Sequence, residues 1–306
     1  MPINNIRARE EMTSELDKKL TQKAQTGFLI DNGLKAKFIG NKTVYIPTVG
    51  MSGLGDYDRE TGFARGGVSV TQKPFTLAQD RGTSFQIDAQ TADESGIADL
   101  AGQVMGEFVR TKVVPEVDAY TLSHLAGLAN DKGHIVTGTL PTNAYKILTE
   151  AIAKVQDAVG YDEELVAFVN GDFNAALMNT TEINRQLVIS DFKKGDMNTK
   201  VKSLNDVAIL PVESPRMKTA YEYLTGEGGT EDFGFKPLST AKNIGLLVMP
   251  KRGASLIKKT EQVRIFSPQQ NLDADAWKMD YRVYYDVVVK ESMENGIYIY
   301  TYTPSN

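Results

Sequence analysis

The longest regular pattern of apolar and polar positions in the chain runs through residues 91–129. Thr91 and Glu94 stand three apart in the S/T-x-x-E pattern, in which two side chains satisfy backbone donors at a helix start. Apolar residues then recur every three or four positions, at Ile97, Leu100, Ala101, Val104, Phe108, Val113, Val117, Tyr120 and Leu128. This spacing predicts one amphipathic helix, on the order of 50 Å long. Pro115 lies inside the pattern and lacks an amide hydrogen, so we expect a kink there.

Before this helix, the pattern predicts a projecting two-stranded arm. Residues 43–49 are rich in β-branched side chains and predict a strand, which Pro47 places at a sheet edge. Residues 50–67 are rich in glycine and charged side chains, and are too polar to join a core. Residues 68–77 and 83–89 then resume as extended segments. Because an isolated hairpin is marginal in water, we expect the arm to lie on a neighbouring copy of the chain. The alternative is a mobile surface loop or lid.

The middle of the chain predicts a compact α/β unit over residues 130–255. A turn-rich break at residues 130–138 precedes a helix with its cap at Thr142 and its end at Gly160. Asp172 is expected to open a further short helix. Short apolar runs typical of strands occur at residues 165–170, 201–204, 207–212 and 244–249. The mixture of helices and short buried strands favours an α/β arrangement here.

The C-terminal part is dominated by one long alternating segment. Apolar and polar residues alternate over residues 277–290, which predicts a strand with a single buried face. Asn295 and Gly296 form a type I′ turn signal, and residues 297–303 predict a returning strand. We expect the apolar stripe of the long helix to cover this sheet.

Composition and charge narrow the possible functions. The 306 residues carry a formal net charge of -5 and include no cysteine. The absence of cysteine excludes a disulfide framework, thiolate metal ligands and a cysteine nucleophile. Because nucleic-acid binding relies on lysine and arginine, we expect any contact with DNA to be weak. Residues 1–20 alternate basic and acidic side chains without an apolar segment, so we expect a solvated arm, no secretory signal and no contact with a membrane.

Motifs for catalysis or metal binding are weak. Neither His124 nor His134 has a second histidine at metal-binding spacing, and no phosphate-binding or dinucleotide-binding glycine motif occurs. Asp56, Asp58 and Glu60 alternate in the glycine-rich loop, but the glycine and glutamate that a calcium loop requires are missing at their positions. We therefore assign no catalytic residue, cofactor or metal, and expect that the protein is not an enzyme.

The chain thus predicts, in order, a short N-terminal arm, an extended glycine-rich loop, a long kinked helix, a compact α/β unit and long strands. This order, and the local sequences of residues 62–88 and 102–127, resemble the major capsid proteins of tailed bacteriophages with the Hong Kong phage capsid fold, in particular the coat proteins of phages of low-GC Gram-positive bacteria. The resemblance implies an α+β fold. Its parts would be an N-terminal arm (1–40), an extended loop (41–90), a peripheral domain with its spine helix (91–129 and 257–290) and an axial domain (130–256 and 291–306).

The resemblance also implies a function. The protein would be a structural capsid protein that assembles in the host bacterial cytoplasm into an icosahedral shell, the virion capsid, around double-stranded DNA. Its partners would be copies of itself in pentamers and hexamers, a portal protein, and the packaged DNA through weak non-specific contacts. Since only about forty residues precede the extended loop, we expect a separate scaffold protein as well.

Two sets of residues follow as hypotheses. The charged residues expected to contact neighbouring subunits are Asp56, Asp58, Arg59, Glu60 and Arg65. The residues expected to act as hinges between subunit positions are Pro115, Gly50 and Gly67. Two other functions remain open: an encapsulin-type nanocompartment shell, and a soluble α/β enzyme or binding protein with a mobile lid.

Overall fold

The computed structural model describes residues 24–30, 37–39, 43–60, 62–63, 65–90, 101–180, 188–194, 197–226 and 233–303. The strands are β1 (Lys37–Ile39), β2 (Thr43–Met51), β3 (Val68–Thr76), β4 (Gln79–Asp88), β5 (Ile135–Gly138), β6 (Leu165–Val169), β7 (Val188–Lys194), β8 (Met197–Leu204), β9 (Val207–Pro211), β10 (Tyr221–Thr225), β11 (Phe233–Pro237), β12 (Asn243–Pro250), β13 (Ala254–Phe266), β14 (Ala276–Val289) and β15 (Tyr298–Tyr302). The α-helices are α1 (Ala101–Phe108), α2 (Val114–Asp131), α3 (Ala144–Val159) and α4 (Gly171–Met178). Short 3₁₀ turns lie at Gly27–Leu29, Ser214–Arg216 and Glu291–Gly296.

The predicted long helix is present over residues 101–131 as α1, a π-helical segment at Val109–Val113, and α2, together called the long helix. Its predicted start at Thr91 lies outside the described residues. Pro115 stands in the first turn of α2, directly after the π-helical segment. A proline ring crowds the carbonyl four residues earlier, and a widened turn relieves that contact. The helix therefore continues through Pro115, with its irregularity on the N-terminal side.

The long helix covers a three-stranded antiparallel sheet of order β13-β14-β4. Helix residues Met105, Val109, Val113, Val117 and Tyr120 share a core with sheet residues Met279, Tyr281, Val283, Tyr285 and Val287. This confirms the expected cover. The prediction of a single buried face is wrong for the second half of β14, because Tyr284 and Val288 pack into a separate cluster on the other side.

A seven-stranded mixed sheet of order β5-β15-β12-β6-β9-β8-β7 forms the predicted α/β unit. The pairs β5–β15 and β6–β9 are parallel, and the others are antiparallel. The cap of α3 is Asn143, whose side chain accepts from the Lys146 amide at 2.9 Å, so the expected cap at Thr142 is one residue too early. Helix α4 is capped by Asn170, not opened by Asp172. Gly160, at φ +100°, ends α3 as expected.

Two predicted connections differ from the structure. The break at residues 130–138 contains β5, the edge strand that pairs with β15. Asn295 and Gly296 lie in a 3₁₀ turn instead of a hairpin, and β15 joins the seven-stranded sheet. A Cβ atom on Gly296 would lie 2.3 Å from Val159 Cγ1, so this glycine is needed for close packing.

The N-terminal segment of residues 24–30 is built into the core. Ala24, Thr26 and Leu29 are fully buried, and the Phe28 ring stacks on that of Phe168 with centroids 6.0 Å apart. Strand β1 follows and pairs with the start of β2. The solvated arm predicted over residues 1–20 lies outside the described residues, and the division into domains stays a prediction.

Candidate assembly surfaces

The arm consists of β2, a tip of residues 52–67, and β3. Its strands form a continuous antiparallel ladder from the pair Thr43–Thr76 to the pair Met51–Val68. Strand β1 pairs with the base of the arm, at residues 43–45 of β2. Because side chains alternate along a strand and paired residues share a face, the ladder defines two faces of the arm.

The arm inner face, formed by Val44, Ile46 and Phe75 near the base, packs against the body of the protein. These residues join a cluster with Leu77, Ile257, Tyr284 and Val288. Ile257, Tyr284 and Val288 lie on β13 and β14 of the three-stranded sheet, and Leu77 lies in the connection to the arm. The cluster therefore holds the base of the arm against this sheet.

The arm outer face lies on the opposite side of the ladder, nearer the tip. It is formed by two cross-strand pairs of apolar residues, Val49 with Val70 and Met51 with Val68. Their exposed fractions are 55%, 65%, 75% and 70%. Such a contiguous set of exposed apolar side chains is a candidate interaction surface. These four residues are not among those predicted from the sequence, although their alternation with polar neighbours along each strand was a usable signal.

The arm tip is held by local hydrogen bonds. The Ser52 amide donates to the Gly67 carbonyl at 3.0 Å, and the Gly67 amide donates to Ser52 Oγ at 2.9 Å. Asp58 and Gly62 exchange backbone bonds across a tight turn. Further out, the Tyr57 and Phe63 rings contact edge to face at 4.9 Å and are largely exposed. The tip therefore has a defined shape and presents aromatic as well as charged groups.

The structure places all five predicted contact residues together at this tip. Asp56, Asp58, Arg59, Glu60 and Arg65 are all exposed. The Asp58 carboxylate also accepts from the Glu60 amide at 2.7 Å, which shapes the turn. Their contact with neighbouring subunits stays a prediction.

The three predicted hinge residues do not lie together. Gly50 is paired with Ser69 inside the arm, where a Cβ atom would lie 2.8 Å from Ser69 Oγ. Gly67 is held by Ser52, and Pro115 lies on the long helix. A role for any of them as a hinge stays a prediction.

Arg81 on β4 joins three parts of the molecule: the three-stranded sheet, the long helix and the β10–β11 hairpin. Its Nε donates to Glu116 Oε1 on the long helix at 2.7 Å, and its two terminal nitrogens donate to the carbonyls of Leu224 and Gly234 at 3.0 Å each. The last two carbonyls belong to the β10–β11 hairpin. One guanidinium group thus ties this hairpin to the three-stranded sheet and the long helix.

We expect Arg81→Lys to lower the free energy of unfolding by about 2–3 kcal/mol, because the three donors of an ammonium group lie on one nitrogen and cannot reach acceptors that are bound by three different nitrogens of the guanidinium group. Chemical denaturation of the unassembled chain measures this. The matched control is Arg282→Lys, whose partner Asp80 is exposed on the sheet surface, so its loss of stability should be clearly smaller than that of Arg81→Lys. Equal losses for the two variants would contradict the prediction.

Asp118 on the long helix anchors the N-terminal segment and is fully buried. Its carboxylate accepts from the Gln25 amide at 3.0 Å, the Thr26 amide at 2.9 Å and the Thr26 hydroxyl at 2.6 Å. Arg216 donates to the same carboxylate at 3.2 Å from the turn after β9. Three segments distant in sequence therefore meet at one side chain.

A cluster of aromatic residues surrounds the middle of the long helix. The Tyr120 ring lies 5.8 Å from His124, 5.8 Å from Tyr223 and 5.6 Å from Tyr285. Burial raises the pKa of Tyr285 well above its usual value. Burial also lowers the pKa of His124, against a smaller opposing effect of Asp286. Both shifts favour the uncharged forms, as expected for core packing.

A surface cleft of about 260 Å³ lies beside β5, lined by Gly133, His134, Val136, Lys154, Val155, Ala158, Asn295 and Tyr298. The Lys154 ammonium group lies over the Tyr298 ring, 4.9 Å from its centroid.

Within the described residues, no three His, Asp or Glu side chains are grouped to hold a metal ion. In the same part of the chain, no helix has the length and apolar character needed to span a membrane.

Comparison with known proteins gives structural matches only. No protein-family model and no curated protein sequence matches the chain. The capsid structure of cyanophage P-SCSP1u has a TM-score of 0.57 at 13% identity, covering 88% of this chain and 86% of that one. The mature capsid of bacteriophage PhiM1 gives 0.55 at 14%, covering 87% and 83%. A virus-like particle from Pyrococcus furiosus gives 0.50 at 10%, covering 96% and 99%.

These likenesses extend over most of each chain. At sequence identities this low, a structural likeness establishes a shared fold alone. The chain has the α+β fold of tailed-phage major capsid proteins, the Hong Kong phage capsid fold.

Proposed function

We propose that the protein is the major capsid protein of a tailed bacteriophage, which self-assembles into an icosahedral shell enclosing double-stranded DNA. The observation that carries this proposal is the arm outer face, where four apolar side chains stand in solvent on an arm that leaves a capsid-type fold. Exposed apolar surface of this kind is stabilised by burial against a partner, and a shell of identical subunits supplies one. The role is structural and requires no catalytic residue.

The proposed mechanism is geometric. One chain occupies pentamers and hexamers, with small changes in the angle between the arm, the long helix and the α/β unit. The arm would lie on a neighbouring copy, with Asp56, Asp58, Arg59, Glu60 and Arg65 meeting charges on that neighbour. The peripheral domain would comprise residues 91–129 and 257–290, and the axial domain residues 130–256 and 291–306.

The proposal extends to partners and location. A scaffold protein would guide assembly in the cytoplasm of a bacterial host, a portal protein would occupy one vertex, and the host would be a low-GC Gram-positive bacterium. The formal net charge of -5 suits a chain that encloses DNA without adhering to it.

Light scattering of the purified recombinant protein, with electron micrographs of the same fraction, tests the proposal. We expect rings, tubes or closed shells of megadalton mass. A chain that stays monomeric, also after addition of a scaffold partner, would overturn the shell function.

A second function, less favoured than the first, is supported by the likeness to the virus-like particle from Pyrococcus furiosus, which covers 96% of this chain. In this alternative the shell is an encapsulin-type nanocompartment that encloses protein cargo. The contents of particles purified from the native host distinguish the two functions. Nuclease-protected double-stranded DNA supports a phage capsid, and a stoichiometric enclosed protein supports a nanocompartment.

The double substitution Val49→Thr and Val70→Thr is expected to raise the concentration needed for assembly roughly tenfold or more. Threonine keeps the β-branched shape and strand preference, but its hydroxyl makes burial of the arm outer face unfavourable at every copy of the contact. Light scattering across a dilution series measures the threshold. Thr71→Ser, on the opposite face of the arm, is the control and should assemble as wild type does. An unchanged threshold in the double variant would rule out the arm outer face as a contact.

A further inference from the structure

The arm joins the body of the protein at Leu77 and Ala78, here called the arm root. These two residues connect β3, which belongs to the arm, with β4, which belongs to the three-stranded sheet. Leu77 is buried, with 3% of its surface exposed, whereas Ala78 is exposed. This short connection therefore helps to set the direction of the arm, together with the arm inner face and the ion pair between Lys73 of β3 and Glu291.

Two side chains of β14 hold the arm root. The Tyr284 hydroxyl donates to the Leu77 carbonyl at 3.1 Å, and the Ala78 amide donates to Asp286 Oδ2 at 2.8 Å. The carbonyl and the amide belong to the same peptide unit, so both of its polar atoms are bound by side chains of one strand. The backbone ladder between β4 and β14 ends at the pair Gln79–Tyr285. The side chains of Tyr284 and Asp286 thus supply the hydrogen bonds of the Leu77–Ala78 peptide, which lies just beyond the end of the backbone ladder.

Asp286 also connects the arm root to the long helix. This residue is only 2% exposed, and its Oδ1 accepts from the Tyr120 hydroxyl at 2.7 Å and from the Val287 amide at 2.7 Å. One carboxylate thus receives donors from the arm root, from its own strand and from the helix. A buried acceptor with several donors has one favourable position, because moving it would leave donors unsatisfied.

We propose that Tyr284 and Asp286 form a clamp on the peptide between Leu77 and Ala78, which fixes the direction in which the arm leaves the body. Through Tyr120, the clamp couples this direction to the long helix. The arm inner face packs beside the same connection and supports the clamp without orienting the peptide, since its contacts are apolar. The consequence for shells, that arm direction and helix position change together, rests on the proposed function.

Hydrogen exchange of the full-length, unassembled chain tests the clamp at the Ala78 amide. In Asp286→Asn, the side-chain oxygen can serve Tyr120 and Val287, which turns the new amide group toward Ala78 and removes its acceptor. We expect exchange at Ala78 to accelerate about tenfold or more in this variant. In Tyr284→Phe, which removes only the hydroxyl that binds Leu77, we expect about a fivefold acceleration.

Tyr285→Phe is the matched control. Tyr285 is buried between the two clamp residues on β14, and its hydroxyl has no hydrogen-bond partner among the described residues. Its removal should leave exchange at Ala78 unchanged. Unchanged exchange in Tyr284→Phe and Asp286→Asn would overturn the clamp, as would an equal acceleration in the control. If Asp286→Asn fails to fold, the comparison of Tyr284→Phe with Tyr285→Phe decides alone.

The same variants separate the clamp from the proposed function. Exchange at Ala78 is measured before assembly, so a wild-type chain that forms no shells, also after addition of a scaffold partner, would overturn the capsid function and leave the clamp standing. Where wild type does form shells, Tyr284→Phe should broaden the distribution of particle diameters, and Tyr285→Phe should not. A distribution as narrow as that of wild type would contradict the coupling of arm direction to assembly.

Discussion

Replacing Asp118 by alanine is expected to lower the free energy of unfolding by about 3–5 kcal/mol, a large part of the stability of a typical domain. The carboxylate is fully buried and accepts from the amides of Gln25 and Thr26, the Thr26 hydroxyl and the Arg216 guanidinium group. With alanine, the Gln25 and Thr26 donors lose this buried acceptor, and Arg216 is left with its ion pair to the exposed carboxylate of Glu213. Denaturant unfolding of the unassembled chain measures the loss.

Asp131→Asn is the control for this prediction. Asp131 ends the same helix and is exposed, so its replacement should change the free energy of unfolding by less than about 0.5 kcal/mol. A second readout is proteolysis. The alanine variant should be cleaved within residues 24–30 under conditions in which wild type is resistant, because the segment loses its anchor. A loss of stability below about 1 kcal/mol would show that the anchor is dispensable.

Deletion of residues 51–66 is expected to abolish closed shells while leaving the body of the protein folded. The deletion joins Gly50 to Gly67 and removes most of the arm tip and half of the Met51–Val68 pair. In the ladder Gly50 pairs with Ser69, so Gly67 and Val68 become a two-residue hairpin loop. A glycine at the first position of such a loop fits a type II′ turn, so the shortened arm can close without strain.

Two measurements on the deletion variant are needed. The thermal unfolding midpoint of the unassembled chain should stay within a few degrees of wild type, because the arm tip contributes no residue to the apolar clusters of the described structure. Electron micrographs should show no closed particles at concentrations where wild type forms them. Normal shells from the deletion variant would contradict a role for the arm tip in assembly.

The elements that sequence reasoning predicted well are those with a strong local period. The stripe along the long helix is confirmed over the described residues, and so are the short apolar runs that became β6 and β12. The local sequence pattern could not show which strands pair or which distant residues are in contact. β4 pairs with β14, and the contacts at the arm root join residues 207 and 208 positions apart in the sequence. Asn295 and Gly296 gave a correct local signal for a turn, but burial of Gly296 placed it against α3 and β12 instead of in a hairpin.

The candidate assembly surfaces could be predicted only in part, because the local sequence pattern does not show which residues of two strands are opposite one another. The charged arm tip follows directly from composition, whereas the arm outer face depends on which residues of β2 and β3 are opposite one another. Val49 and Val70 share a face only because of the register of the ladder. Asp118 carried a weaker signal, an acidic residue among the apolar positions of a helix. Its partners Thr26 and Arg216 lie in segments that no periodicity connects to the helix.

The long separation between the arm root and its clamp has a consequence during synthesis. The strands of the arm are close in sequence and can pair soon after they leave the ribosome, but Asp286 follows Ala78 by 208 residues. At roughly 5–20 residues per second, that interval lasts about 10–40 s. Throughout it, the arm is attached to a root that has no fixed direction, and β4 has no partner strand. Translation therefore delays the formation of an oriented arm until the chain is nearly complete.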